Sequence, residues 1–329
     1  MITTQQSRNS TIEQVSSAEY LSNVMLHVAF VPNEQAMTIN KATEATTTSE
    51  SFGSDAMDYS LASAVVAVID VYRASTSICM ALAAGARAVI PFAELAEAQR
   101  YYNNSMPDER THLLLCGERG GHRPEGFHLG NSPLSYTSDA VYGKTLLLTT
   151  TNGTRALQAV QDAQSVCVAA FVNASAAARW MVAELVRQRR TWLLIVCAAS
   201  NTAVSYEDTL CAGLLVHLIQ QECALLLQHS RYDRQFSLLP ITDMLISSSI
   251  GASSAASSAI HCSDAARIAA ELYRASGQMH HDAFKSALKT TEHGRTLVRL
   301  GYGADLEVCA SRNILTIVPV LQGEALVLH

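Results

Sequence analysis

The 329-residue chain is 49% apolar and 16% charged, with a formal net charge of −6 at pH 7. That balance describes a globular protein with a sizeable core, in one large domain or two ordinary ones, and argues against nucleic acid or an anionic membrane as partner. The eight cysteines include no C-x-x-C pair, which sets aside zinc-ribbon and redox readings and points to buried, reduced thiols in a cytoplasmic protein.

Residues 1–23 read as a loose polar tail without the apolar core of a targeting signal. VMLHVAFVP (24–32) is a first strand, and the Thr/Ser-rich stretch near 40–60 is a flexible insertion. A regular alternation follows. AVVAVID (64–70) is a strand, ASTSICMALAAG (74–85) a helix closed by Gly85, ARAVIPF (86–92) a strand and ELAEAQRYY a helix. THLLLCG (111–117) and KTLLLTT (144–150) are strands, and GTRALQAVQDA (153–163) is a helix. The strand SVCVAAF (165–171) leads into the helix ASAAARWMVAELVRQRR, and TWLLIVCA (191–198) into the helix EDTLCAGLLVHLIQQECALLLQ. After a second insertion near 247–259 come helices over 264–275 and 281–300 and a last strand, ILTIVPV (314–320). Nearly continuous apolar strands alternating with helices predict an α/β fold, a three-layer α/β/α domain over 24–329 around a largely parallel or mixed sheet. The longest apolar runs are broken by Asp70 or by small polar residues, so no transmembrane span is expected.

In such a sheet, ligands bind beyond the carboxyl ends of the strands. Asp70 and Arg73, Glu118 and Arg119, Thr149 to Gly153, Asn173, and Ser200 with Glu207 and Asp208 all follow predicted strands, so five strands are expected to deliver polar groups at one end. The TTTNGTR turn (Thr149 to Arg155) offers hydroxyls and free helix amides that suit a phosphate or sulfonate, and Ser75 and Thr76 begin a second helix of that kind. Arg73, Arg119, Arg123 and Arg155 suit anionic oxygens. Asp70, Glu118, Glu207 and Asp208 suit one hard cation, Mg²⁺, which takes a few carboxylates plus water and substrate oxygen. Singly, each feature has a plainer reading. A Thr-rich turn or a strand-ending Asp caps a helix, Glu207 and Asp208 complement a helix dipole, Cys211 belongs to a core, and His293 is structural or exposed. Walker, dinucleotide-binding and G-x-S-x-G patterns are absent, and VIDVYRAS lacks the second Asp of an aspartyl-phosphate loop.

The ordered set DVYRASTS, GERGG, EGFHLGNSP, TTTNGTRA and EDTLCAG, followed by HGRTLVRLGYGADLEVC, resembles the 2-phosphosulfolactate phosphatase family. The resemblance implies an Mg²⁺-dependent α/β enzyme that hydrolyses the phosphate ester of 3-sulfolactate, a step toward coenzyme M in organisms with that pathway. It implies a small anionic phosphate ester as partner, with homo-oligomers possible. Its departures are His128, where relatives tend to read Asp, and Tyr72 in place of Leu. On this reading Asp70, Arg73, Glu118 and Arg119 are catalytic. Ser75, Thr76, Gly120, Gly121, Asn131, Ser132, Thr150, Thr151, Asn152, Gly153, Thr154, Arg155 and Asn173 bind substrate. Asp70, Glu118, Glu207 and Asp208 hold the metal. Attack by water is expected, with a covalent route through Asp70 or a cysteine as the alternative. Other 2-hydroxy-acid phosphates, or anion binding without catalysis, are the competing functions.

Overall fold

The protein is described from a computed structural model, over residues 17–38, 59–200, 202–233, 259–277 and 281–329. The two expected insertions fall almost wholly outside these residues. Part of the expected loose tail is ordered: Ser17–Ser22 is a helix with Leu21 in the core, and the Tyr20 hydroxyl donates to the Leu185 carbonyl at 2.8 Å.

Ten strands form one sheet. They are β1 Met25–Ala29, β2 Ala64–Ile69, β3 Ala88–Phe92, β4 Leu113–Gly117, β5 Thr145–Thr149, β6 Ser165–Ala169, β7 Trp192–Cys197, β8 His261–Cys262, β9 Pro319–Gln322 and β10 Ala325–Leu328. Their order is β4-β5-β3-β10-β9-β6-β2-β7-β1-β8. Every residue of β2, β5, β6 and β7 is buried, which is why these strands read as unbroken apolar runs. Along β2, Val65, Ala67 and Ile69 face one core and Ala64, Val66 and Val68 the other. The first core packs helices Ala174–Gln188, Tyr206–Asp233 and Asp264–Gly277; the second packs Ala74–Ala83 and Gly153–Ala159. The three-layer α/β fold expected from the alternation is the fold observed. Tyr206–Gln228 is long and apolar enough to cross a membrane, and half of that stretch is buried in the first core.

The sheet is mixed, and its antiparallel pairs lie at the centre. β6, β2, β7, β1 and β8 run parallel to one another, and so do β3, β4 and β5. Between the two blocks lies the C-terminal β9–β10 hairpin, with β9 antiparallel to β6 and β10 antiparallel to β3. The blocks therefore run in opposite senses, and the polar groups do not share one end of a single parallel sheet. Twist of about 20–25° per strand rotates one block against the other. The loops still meet, because a Cβ on Gly153, just past β5, would lie 2.7 Å from Asp70 Oδ2, just past β2.

Candidate active site

Strand β2 ends where its buried run meets a tightly bonded turn. The Asp70 amide donates to Ser75 Oγ at 2.8 Å, the Ser75 amide donates back to the Asp70 carbonyl at 2.9 Å, and Thr76 Oγ1 donates to the Val71 carbonyl at 3.0 Å. Ser75 and Thr76, expected to bind substrate, spend their hydroxyls on holding Asp70 at the head of helix Ala74–Ala83. The Tyr72–Arg73 peptide bond is cis. The Asp70 carboxyl is buried, and burial pushes its pKa up from 3.8 to about 6. The nearby His293 pulls it down, Glu118 and Glu207 push it up, and the Ala74 amide donates to it.

The β4 and β5 ends approach Asp70 from the other block. Gly117 has φ +136°, and a Cβ there would lie 1.8 Å from the Thr149 carbonyl oxygen, so only glycine fits beside β5. The next residue, Glu118, accepts the Thr151 amide on Oε1 at 2.7 Å and the Gly121 amide on Oε2 at 2.8 Å. Its carboxylate thus ties both loops together and fixes the path of Gly120 and Gly121. Thr154 donates its amide to Thr150 Oγ1 at 3.1 Å and its hydroxyl to the Thr150 carbonyl at 2.9 Å, closing the first turn of helix Gly153–Ala159. Asn152 caps that helix by position only, without a side-chain hydrogen bond to it.

Several expected substrate ligands are turned elsewhere. The Arg119 guanidinium donates to the carbonyls of Glu118 and Ala93 at 2.8 and 2.6 Å. Arg155 is largely exposed and pairs with Glu94 at 3.4 Å, while Arg123 donates to the His128 carbonyl. Asn173 is buried in backbone bonds, accepting the Ala170 amide and donating to the carbonyls of Val168 and Ile317. His128 accepts the Leu115 amide at 2.9 Å, a bond to edge strand β4 that an Asp carboxylate would also accept. Arg73 is buried, donating to Asp305 Oδ2 and to the Gly121 carbonyl, both at 2.9 Å. Ser132 donates to the other oxygen of Asp305 at 2.6 Å, and the buried Asn131 Oδ1 has no partner among the described residues.

Glu207 and Asp208 begin helix Tyr206–Asp233 after β7, and their carboxylates diverge. Asp208 accepts the Val71 amide at 2.8 Å, and burial, reinforced by Asp70 and Glu207, pushes its pKa well up. Glu207 faces His293, Oε1 to Nδ1 3.5 Å, across from the edge of the Tyr72 ring. Burial would depress the His293 pKa, but the Glu207 carboxylate, with Asp70 beyond it, outweighs burial and raises it. His293 is thus the site residue that reading the sequence set aside as structural. Its signal was the spacing of HGRTLVRLGYGAD, one segment that brings His293, Tyr302 and Asp305 to the site together. Burial pushes the Cys309 thiol up to about 12 and raises Cys197 and Cys211 well above their ordinary value, which disfavours the thiolate at these three positions.

Among the described residues, no three of His, Cys, Asp and Glu are placed to enclose a metal ion together. Asp70 lies within electrostatic reach of Glu118, Glu207 and His293. Zinc sites take three or four protein ligands, whereas Mg²⁺ takes one or two carboxylates and keeps water and phosphate oxygens. The arrangement as a whole is a buried acidic cluster with one imidazole, one fixed guanidinium and a helix N-terminus pressed against Asp70.

A model of the family described as 2-phosphosulpholactate phosphatase matches residues 54–324. The chain is similar to a probable 2-phosphosulfolactate phosphatase of Symbiobacterium thermophilum, 35% identical over 270 residues, which cover 82% of this chain and 96% of that one. Proteins of the same description from Trichormus variabilis and Thermotoga maritima are 33% and 31% identical over 254 residues, covering 77% of this chain and 87% of each.

Proposed function

The chain belongs to the 2-phosphosulfolactate phosphatase family, and on that premise we propose that it hydrolyses 2-phosphosulfolactate to 3-sulfolactate and phosphate. It is a phosphatase, a hydrolase of phosphate esters. The observation that carries the site assignment is Asp70, a buried carboxyl raised to about 6 and pressed against the first residue of helix Gly153–Ala159. A phosphate ester needs in-line attack and stabilisation of its equatorial oxygens, which calls for positive charge and aimed amides beside an acid or base. On this reading the amides of Asn152 and Gly153, at the start of the helix, would meet the phosphoryl oxygens, and Arg73 would supply the positive charge.

We take Mg²⁺ as the cation, held by Asp70 and Glu118, whose carboxylates keep free lone pairs beyond their amide bonds. When bound, it supplies charge to the phosphate oxygens and acidifies water. Glu118 meanwhile fixes the β4 and β5 loops, Asp208 anchors the Val71 turn, and Glu207 holds the His293 ring. The deciding measurement is phosphate release from a panel of 2-hydroxy-acid phosphates, with and without Mg²⁺. Turnover of 2-phosphosulfolactate that stops with chelator is expected. Turnover of other esters alone would move the substrate assignment, and binding without turnover would replace catalysis by metabolite binding.

A further inference from the structure

Arg73 is fixed from two directions by groups that are not themselves presented to a phosphate. Its Nη1 donates to Asp305 Oδ2 and its Nη2 to the Gly121 carbonyl, both at 2.9 Å, while its guanidinium carbon lies 4.1 Å from the centre of the Tyr302 ring. Each of these nitrogens carries a second N–H that no described residue takes. Asp305 is itself held, because its other oxygen accepts the Ser132 hydroxyl at 2.6 Å, and it is 2% exposed. The bonds run on from Gly121 to Glu118 and from Glu118 to Thr151. One unbroken chain therefore links the turn after β2, the loops after β4 and β5, the GNSP segment and the C-terminal helix Gly303–Cys309.

The surroundings explain why such a hold is needed. Asp70, Glu118, Glu207 and Asp208 are all buried in the same site, and each would draw a mobile guanidinium onto itself. A cation that collapsed onto those carboxylates would be lost to the substrate. We propose that Asp305 is a positioning residue for phosphate binding and turnover: it holds Arg73 away from the acidic cluster with two N–H groups open to an anion, and Ser132 holds Asp305. The inference rests on the phosphatase reading for its kinetic effect, while the hold on Arg73 has a consequence for anion binding that does not.

The test compares Asp305→Asn, Ser132→Ala and Arg73→Lys, singly and with the first two each combined with the third. Readouts are kcat and KM on the ester that the wild type hydrolyses fastest, inorganic phosphate binding by calorimetry, and thermal melting. Displacing a binding group by about 1 Å costs on the order of 10²-fold. Asp305→Asn is therefore expected to lower kcat/KM by about 30- to 100-fold and weaken phosphate binding about tenfold. Ser132→Ala, which leaves the ion pair in place, is expected to keep the melting temperature and lose about three- to tenfold. In the Arg73→Lys background both losses are expected to shrink below about threefold. Full additivity of the losses, or a lowered melting temperature with unchanged kcat and KM per folded molecule, would overturn the proposal. If the wild type hydrolyses no ester, the phosphatase reading fails, and phosphate binding alone still decides whether Asp305 acts through Arg73.

Discussion

Asp70 and Asp305 are both buried aspartates of one site, 7% and 2% exposed, yet the fold treats them in opposite ways. Asp305 has a guanidinium on one oxygen and a hydroxyl on the other. Asp70 has one amide, the His293 imidazole nearby and the further acids Glu118 and Glu207, and burial keeps its pKa near 6. A buried charge that is paired and hydrogen-bonded holds structure together, and its loss leaves a partner stranded. A buried carboxyl whose desolvation outweighs the pull of a nearby imidazole stores unfavourable energy, as an acid or base poised for chemistry must. The contrast separates residues that build this site from residues that work in it.

Asp70→Asn is the strongest challenge to that division. Phosphate release is expected to fall by about 10³-fold, a loss typical of removing a principal electrostatic group. Stability should change in the other direction. The Asp70 pKa rises from 3.8 to about 6 on folding, so its favourable contribution is complete below 3.8 and lost as pH climbs through 6. That shift corresponds to about 3 kcal/mol of strain at neutral pH. Denaturant unfolding should accordingly show Asp70→Asn more stable than wild type at pH 8 and nearly equal to it at pH 4. Asp305→Ala is expected to do the reverse, destabilising by about 3–5 kcal/mol because Arg73 is left buried and unpaired. Equal stability effects at the two aspartates would erase the comparison.

Gly153 tests how closely the two sheet blocks are fitted at Asp70. A Cβ there would lie 2.5 Å from Ala74 Cβ and 2.7 Å from Asp70 Oδ2. Gly153→Ala should cost about 1–3 kcal/mol through overpacking and lower turnover by moving Asp70. Wild-type stability and activity would show that the blocks yield freely at this contact. Glu207→Gln sharpens the electrostatic side. Without that carboxylate the burial of His293 dominates, so its pKa, followed by NMR, should drop from its raised position. The same linkage makes the Glu207–His293 pair stabilising below the ordinary imidazole range and less so as pH rises through the raised pKa. The smallest effect is expected at the surface: the Arg155–Glu94 side chains are 59% and 56% exposed. Arg155→Ala should change unfolding free energy by under about 0.5 kcal/mol and KM by less than about threefold.

Much of this protein was legible before folding. Strand and helix alternation follows from apolar periodicity, and the polar residues that end β2, β4 and β5 stood out against it. Gly153 lies against Asp70, and Glu118 is near enough to raise its pKa, so the loops after β2, β4 and β5 do come together. The sequence did not tell a residue that faces an anion from one that braces a loop, because both are polar residues after a strand. Asn173, Ser75 and Thr76 brace; Arg119 and Arg155 face carbonyls or solvent. His293 reads as structural or exposed, and Asp305 is not singled out, because nothing local shows that a segment more than 200 residues beyond Asp70 returns to it.

What the chain determined by itself was its layers, since burying strands on both faces and helices on one stripe needs only local pattern. The opposite sense of the two sheet blocks, the hairpin that joins them and the pairing of Arg73 with Asp305 were decided only by tertiary structure. Each depends on contacts between distant segments, and a charge buried in this core is tolerated or strained according to what the fold sets beside it.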